Sequence, residues 1–142
     1  MKILLAVDGS KPSLDAVDLL VAHADWYRSR PEVELVTVHL PVPKVPGLGS
    51  VVAKSGLQAY YQDEGEARLA AAKKKLDAAR ISYAAHILVG PVAESLVKLA
   101  KDKRCDMIYI GTRGMTGAAA ALVGSTASKV LHISPLPVLL VK

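Results

Sequence analysis

The feature that most constrains the fold of this chain is a strict alternation of short apolar runs with segments of helical periodicity. The apolar runs end at glycine, proline or aspartate, as strands commonly do. Between them, apolar residues recur at three- and four-residue spacing, which predicts amphipathic helices. The predicted strands cover residues 2–7, 33–40, 82–89, 107–110 and 138–141. The predicted helices run from Ser10 or Ser13 to about Tyr27, over residues 57–80 and 92–103, and through Val130 and Leu131.

Strict alternation over 142 residues predicts a single domain, residues 1–142, of the α/β class. The expected architecture is a Rossmann-like parallel sheet with right-handed crossovers and helices on both faces. Ligands of such sheets bind beyond the carboxyl ends of the strands. Asp8 follows the first predicted strand, His39 and Leu40 end the second, and Gly111 follows the fourth. We therefore expect these residues to share one edge of the sheet.

Composition narrows the class of partner. The chain has no Phe and one Trp among 51% hydrophobic residues, which predicts an aliphatic core. Its net charge of +5 favours anionic partners in general. The two basic clusters, at residues 73–75 and 101–104, lack the interleaved aromatics that nucleic-acid surfaces use. They are interpreted as solvated helix surface, so no nucleic-acid partner is expected.

The single cysteine, Cys105, excludes an internal disulfide framework and agrees with a reducing compartment. It is interpreted as a small core residue. The first apolar run is too short for a secretory leader, and no run approaches membrane-spanning length. A cytoplasmic protein without membrane contact is the expectation.

Residues 41–56 differ from the rest because prolines and glycines interrupt them. A start of Pro41-Val42-Pro43 cannot join a hydrogen-bonded ladder. This stretch is predicted to be a surface loop. It could fold over a site or serve as a plain connector, and the sequence leaves both open.

Glycines cluster after the fourth predicted strand, at Gly111, Gly114, Gly117 and Gly124. Glycine lets main-chain N–H groups turn toward one point, because no Cβ blocks the approach. Ser125 is predicted to cap the helix that follows, whose N-terminus carries partial positive charge. A strand, a glycine loop and a helix N-terminus together predict an anion site, most often one for phosphate.

The spacing separates this loop from two common phosphate loops. It has no lysine before Ser125, as Walker A requires, and its first two glycines are too far apart for the dinucleotide fingerprint. It reads Gly-x2-Gly-x9-Gly-Ser, and in this the chain resembles the universal stress protein family. The first strand with Asp8, the second strand ending at His39, and the closing helix and strand are similar to that family as well.

The resemblance implies a five-stranded sheet in the order 3-2-1-4-5, a homodimer through Val138–Val141 and a role in the stress response. It further implies bound ATP, with or without a divalent cation held by its phosphates. Asp8 would lie near the ribose or base, and the backbone at Leu40 would meet the adenine. The implied nucleotide-binding residues are Ala6, Asp8, Leu40, Gly111, Thr112, Arg113, Gly114, Met115, Thr116, Gly117, Gly124, Ser125 and Thr126.

Three functions remain open on the sequence. The first is a nucleotide-dependent regulator or interaction module that binds ATP. The second is a dimeric interaction module without nucleotide, since residues 118–123 contribute no polar side chain to the loop. The third is a weak ATPase. The four histidines show no metal-ligand spacing, and Asp8 is the one carboxylate expected near the loop, so no catalytic or metal-binding residue is assigned.

Overall fold

The computed structural model describes residues 1–42, 54–113 and 123–142. Its strands are β1 (Lys2–Ala6), β2 (Glu32–His39), β3 (Tyr83–Val89), β4 (Met107–Gly111) and β5 (Val138–Val141). Its α-helices are α1 (Lys11–Ala22), α2 (Lys54–Ala78), α3 (Val92–Asp102) and α4 (Ser125–Ile133), with a short 3-10 helix at Ala24–Trp26. Strands and helices alternate as the sequence predicts.

The five strands form one parallel sheet in the order β3-β2-β1-β4-β5. The central strand β1 pairs with β2 on one side and β4 on the other, with Leu5 opposite Leu35 and Tyr109. The strand order therefore reverses next to β1, so that a crevice is expected beyond the carboxyl ends of β1 and β4. The predicted fold class and strand order are confirmed.

Side chains of the buried strands alternate between two aliphatic cores, because successive residues point to opposite faces of a sheet. Ile3 and Leu5 join the core under α1 and α2, together with Leu20 and Leu69. On the opposite face Leu4 and its neighbours pack in the second core, under α3 and α4. Burial on both faces explains why the strands are continuous apolar runs rather than alternating ones.

Helix α2 lies unusually close to the edge strand β3. A Cβ on Gly65 would fall 2.5 Å from the side chain of Ile87, so the approach requires glycine at this position. This contact holds α2 close to the sheet where it packs over β2 and β3. In the part of the chain that the structure describes, no helix is long and apolar enough to cross a membrane.

Two predicted boundaries were wrong. Helix α1 ends at Ala22 rather than Tyr27, because His23 caps it, its N–H and its Nδ1 both reaching the carbonyl of Leu19. The loop predicted for residues 41–56 is shorter at its end, since α2 begins at Lys54. Residues 43–53, which carry most of that loop, lie outside the described residues.

Candidate functional site

A cavity of ≈ 440 Å³ opens beyond the carboxyl ends of β1, β2 and β4. Its volume lies within the range usual for small-molecule sites. Asp8, Leu40 and Gly111 all line it, so the three strand ends expected to share an edge do meet there. The cavity has three distinct walls, and each has its own chemistry.

The first wall is an apolar slot on the α3 side of the sheet. Val36, Val38 and Ile110 contribute from the strands, and Val92 and Leu96 contribute from α3. None of these side chains carries a polar atom, so the slot suits a flat group with little hydrogen-bonding capacity on its faces, such as an aromatic base.

The second wall, called here the loop side, consists of Thr112, Arg113 and residues 124–127. The N–H of Thr112 donates to the carbonyl of Val141 at 2.7 Å, which ties the loop to β5. The carbonyl of Thr112 in turn accepts from the N–H of Gly124 at 2.6 Å. These two bonds hold the start of α4 against the end of β4, with the exposed Arg113 beside it.

The N-terminus of α4 differs from the prediction. Gly124, not Ser125, is the N-cap residue, and Ser125 is the first residue of the helix. Glycine has no side-chain oxygen with which to bind the first helical N–H groups, which lack partners within the helix. The loop side therefore presents main-chain donors, a helix dipole and a guanidinium, all favourable to an anion.

Gly111 is required by packing as well as by its place in the loop. A Cβ there would lie 2.6 Å from the carbonyl oxygen of Pro12 and 3.1 Å from the N of Ser13. Both are main-chain atoms of the first turn of α1, so they cannot rotate away. Gly124 is less confined, because a Cβ on it would lie 3.3 Å from the carbonyl oxygen of Thr112.

Asp8 both lines the cavity and shapes the turn into α1. Its Oδ1 accepts from the N–H of Ser10 at 2.9 Å and from the hydroxyl of Ser10 at 2.5 Å. The Asp8 N–H donates to the hydroxyl of Ser13 at 3.3 Å. The two interpretations of Asp8, as a turn residue and as a cavity residue, are therefore compatible.

The third wall, called here the helix side, is made by His39 of β2 and by Tyr61 and Arg68 of α2. His39 is only 4% exposed, and its ring centroid lies 5.4 Å from that of Tyr61. Burial and the nearby Arg68 guanidinium lower the pKa of His39 below 6.5, although Glu64 and a backbone hydrogen bond at Tyr61 oppose the change. His39 is thus favoured as the neutral imidazole.

The structure brings together most of the residues implied at the sequence level. The cavity is lined by Ala6, Asp8, Leu40, Gly111, Thr112, Arg113, Gly124, Ser125 and Thr126. The other four, Gly114, Met115, Thr116 and Gly117, lie outside the described residues. Sequence reasoning missed Tyr61 and Arg68, although the spacing of Tyr61, Glu64 and Arg68 on one helix face was available as a signal.

The described residues can also be searched for a metal-binding cluster and for a reactive thiol. Within residues 1–42, 54–113 and 123–142, no group of three or more His, Cys, Asp or Glu side chains could hold a metal ion. Cys105 is buried, as expected of a core residue, and its burial raises the pKa of the thiol to about 11. A thiol with such a pKa is a poor nucleophile at neutral pH.

Comparison with known proteins gives a consistent result. The model of the universal stress protein family matches residues 1–142. The universal stress protein MJ0531 of Methanocaldococcus jannaschii is 31% identical over 141 residues, covering 99% of this chain and 81% of that protein. The solved structure of MJ0577, from the same organism, superposes with a TM-score of 0.82 at 28% identity, covering 99% of this chain and 94% of the other.

Several structural neighbours hold nucleotides. The universal stress protein of Archaeoglobus fulgidus, solved in complex with dAMP, has a TM-score of 0.64 and 24% identity, covering 100% of this chain and 98% of that one. Other neighbours were solved with cAMP and with AMP. At these identities the likeness shows the shared fold.

Proposed function

The chain belongs to the universal stress protein family, and from this premise we propose that it binds ATP in the cavity beyond β1, β2 and β4. The observation that carries the proposal is the pairing of two chemically different walls in one cavity. An apolar slot stands beside a loop side that offers main-chain donors and Arg113. A nucleoside phosphate needs both.

In this proposal the adenine lies in the slot formed by Val36, Val38 and Leu96, with its edge toward the main chain at Leu40. Asp8 lies toward the ribose. The phosphates lie against Arg113 and the start of α4, where the uncapped N–H groups and the helix dipole favour negative charge. A divalent cation would be held by the phosphates rather than by a protein cage.

The sequence adds four residues to this site. Gly114, Met115, Thr116 and Gly117 belong to the glycine pattern of the family, and we include them as further contributors of main-chain N–H groups and hydroxyls to the phosphates. That contribution rests on the pattern Gly-x2-Gly-x9-Gly-Ser alone.

Isothermal titration of ATP and adenosine tests the proposal. The wild type should bind ATP more tightly than adenosine, because only ATP engages the loop side. Arg113→Gln should weaken ATP binding about tenfold or more, since a hydrogen bond to a charged group contributes about 1.5–3 kcal/mol. Its affinity for adenosine should hardly change.

Lys98→Gln provides the matched control, because Lys98 is an exposed cation on α3 that pairs with Asp102 away from the cavity. It should bind ATP as the wild type does. Absence of ATP binding by the wild type would overturn the proposal and favour the interaction module without nucleotide.

We further propose that the protein acts as a nucleotide-dependent regulator or interaction module of the cytoplasmic stress response rather than as an ATPase. Asp8 is the one carboxylate among the described residues that line the cavity, and its Oδ1 already binds Ser10. Hydrolysis needs a group that positions water. Steady phosphate release that is lost in Asp8→Asn would restore the ATPase alternative.

Assembly is the last part of the proposal. Strand β5 ends the sheet, and Val138, Leu139 and Leu140 are only partly buried. An open apolar edge strand invites pairing with another copy, so we propose a homodimer through Val138–Val141. Sedimentation at micromolar concentration should give a dimer, and a monomer at that concentration would contradict this part alone.

A further inference from the structure

We propose that Tyr61 is a positioning residue that holds the main chain at Leu40 in register with the base, and that it thereby sets a preference for adenine over guanine nucleotides. The inference rests on the proposed function, in which that main chain meets the base edge. It concerns a side chain of α2 that neither the glycine loop nor the strand ends include.

The first contact is between Tyr61 and the chain just after β2. The Tyr61 hydroxyl accepts a hydrogen bond from the N–H of Val42 at 2.8 Å. Val42 is itself half exposed, so its side chain packs too little to hold this segment in place. The hydroxyl of Tyr61 thus holds the outer end of the segment.

The second contact is between Tyr61 and the end of β2. Its ring is tilted against that of His39, with centroids 5.4 Å apart. His39 is buried, and its carbonyl accepts from the N–H of Gly90 at 2.8 Å. Tyr61 therefore touches the chain on both sides of Leu40: at His39 through its ring, and at Val42 through its hydroxyl.

Among the described residues, the side chain of Leu40 does little to fix this segment. Its side chain is 69% exposed, and the next residue, Pro41, has no N–H with which to form a hydrogen bond. The orientation of the Leu40 peptide groups thus depends on the two residues that Tyr61 contacts. A change at Tyr61 is transmitted to Leu40 without altering any apolar side chain of the slot.

Base preference follows from hydrogen-bond direction. Adenine presents an amino donor where guanine presents a carbonyl acceptor, and the adjacent N1 is an acceptor in adenine but carries a hydrogen and donates in guanine. A main-chain segment fixed in one orientation pairs with one of these edges and leaves its own groups unpaired against the other. A loosely held segment can rotate, and it discriminates less.

The experiment compares Tyr61→Phe with Tyr83→Phe by titration with ATP, GTP and tripolyphosphate. Tyr83, at the start of β3, is not among the described residues that line the cavity, and its hydroxyl interacts with Asp77, so losing that hydroxyl serves as the matched control. Tyr61→Phe keeps the ring against His39 and removes only the acceptor of the Val42 hydrogen bond. Thermal unfolding of both variants checks that they fold as the wild type does.

We expect the wild type to bind ATP more tightly than GTP. Tyr61→Phe should weaken ATP binding roughly three- to tenfold, the effect of one lost hydrogen bond, and leave GTP and tripolyphosphate unchanged. The ratio of ATP to GTP affinity should then fall, whereas Tyr83→Phe should keep it. An equal loss for ATP and GTP would show a merely structural role and overturn the inference.

Two other outcomes would also overturn it, and they are distinguishable. If the wild type and Tyr61→Phe bind ATP with the same affinity and the same preference over GTP, the inference fails while the proposed function stands. If the wild type binds no nucleotide at all, both fail together.

Discussion

The loop side and the helix side of the cavity are built by different means. The loop side presents the main-chain N–H groups of the first turn of α4, and a hydrogen bond from Gly124 to Thr112 holds that turn against the end of β4. The helix side presents side chains from two distant elements, His39 at the end of β2 and Tyr61 on α2. The loop side is thus built around a single strand–loop–helix segment, whereas the helix side forms only when α2 packs over β2.

In the proposed site this difference in construction has a functional meaning. Main-chain donors at a helix N-terminus bind any phosphate, so the loop side provides affinity with little selectivity between nucleotides. Side chains that hold the main chain at Leu40 in one orientation provide selectivity between similar bases. Substitutions on the two sides should accordingly change different observables.

The largest expected effect tests whether glycines of the loop side serve folding or ligand binding. Gly111→Ala should lower the free energy of unfolding by about 1–3 kcal/mol, because its methyl group would press on the main chain of Pro12. Gly124→Ala should cost less than about 1 kcal/mol, since among the described residues its methyl group would come no closer than 3.3 Å, to the carbonyl oxygen of Thr112. Denaturant unfolding without nucleotide measures both.

Gly124→Ala is the matched control, because it makes the same chemical change in the same loop. Equal denaturant midpoints for the two variants would break the distinction between a packing glycine and a cap glycine. Gly111 and Gly124 would then contribute to stability in the same way.

The sequence alone predicted the fold and the place of Gly111 and Gly124 beside the cavity, for a physical reason. Strand burial on both faces produces continuous apolar runs, and glycine spacing near Gly111 is a local signal. Helix α2 carries a much weaker signal, since its apolar residues form hardly any amphipathic stripe. Tyr61 and Arg68 became site residues only through the placement of α2 over β2, which Gly65 and Ile87 set at long range.

Boundaries were harder to predict than elements for a related reason. Helix α1 ends at its C-cap residue His23, whose N–H and ring Nδ1 both reach the carbonyl of Leu19. Apolar periodicity extends past this point to Tyr27, because Tyr27 packs beside the buried core as part of the tertiary structure. Apolar periodicity reflects which residues are buried, and residues beyond the end of a helix can be buried as well.

The next prediction concerns pH and the helix side. Burial and Arg68 lower the pKa of His39 in the folded protein below 6.5. The unfolded chain therefore binds a proton more readily, and stability falls as pH decreases through about 6.5 toward the lower folded pKa. This residue should contribute a slope of up to about 1.4 kcal/mol per pH unit.

His39→Gln isolates this contribution, because glutamine stays neutral across the range. Denaturant unfolding from pH 8 to pH 5 should show a shallower loss of stability for the variant than for the wild type. Parallel curves would mean that the helix side has no titrating group. The contrast with the loop side, whose donors do not titrate in this range, would then disappear.

The smallest expected effect compares the two helix N-termini beside the cavity. The hydroxyl of Ser10 accepts from the N–H of Ser13 and caps α1, so Ser10→Ala should cost about 1 kcal/mol of stability. Ser125 lies inside the first turn of α4, after the cap, and Ser125→Ala should change stability by less than about 0.5 kcal/mol. Denaturant unfolding without nucleotide measures both variants.

The order of these two effects decides what the start of α4 is for. A helix that satisfies its own N-terminus leaves little for a ligand, whereas one that begins at glycine keeps its donors available. If Ser125→Ala proves as costly as Ser10→Ala, Ser125 serves the helix, as its place in the sequence suggests. If Ser125→Ala leaves the free energy of unfolding unchanged but weakens ATP binding, the N-terminus of α4 serves to bind the phosphates.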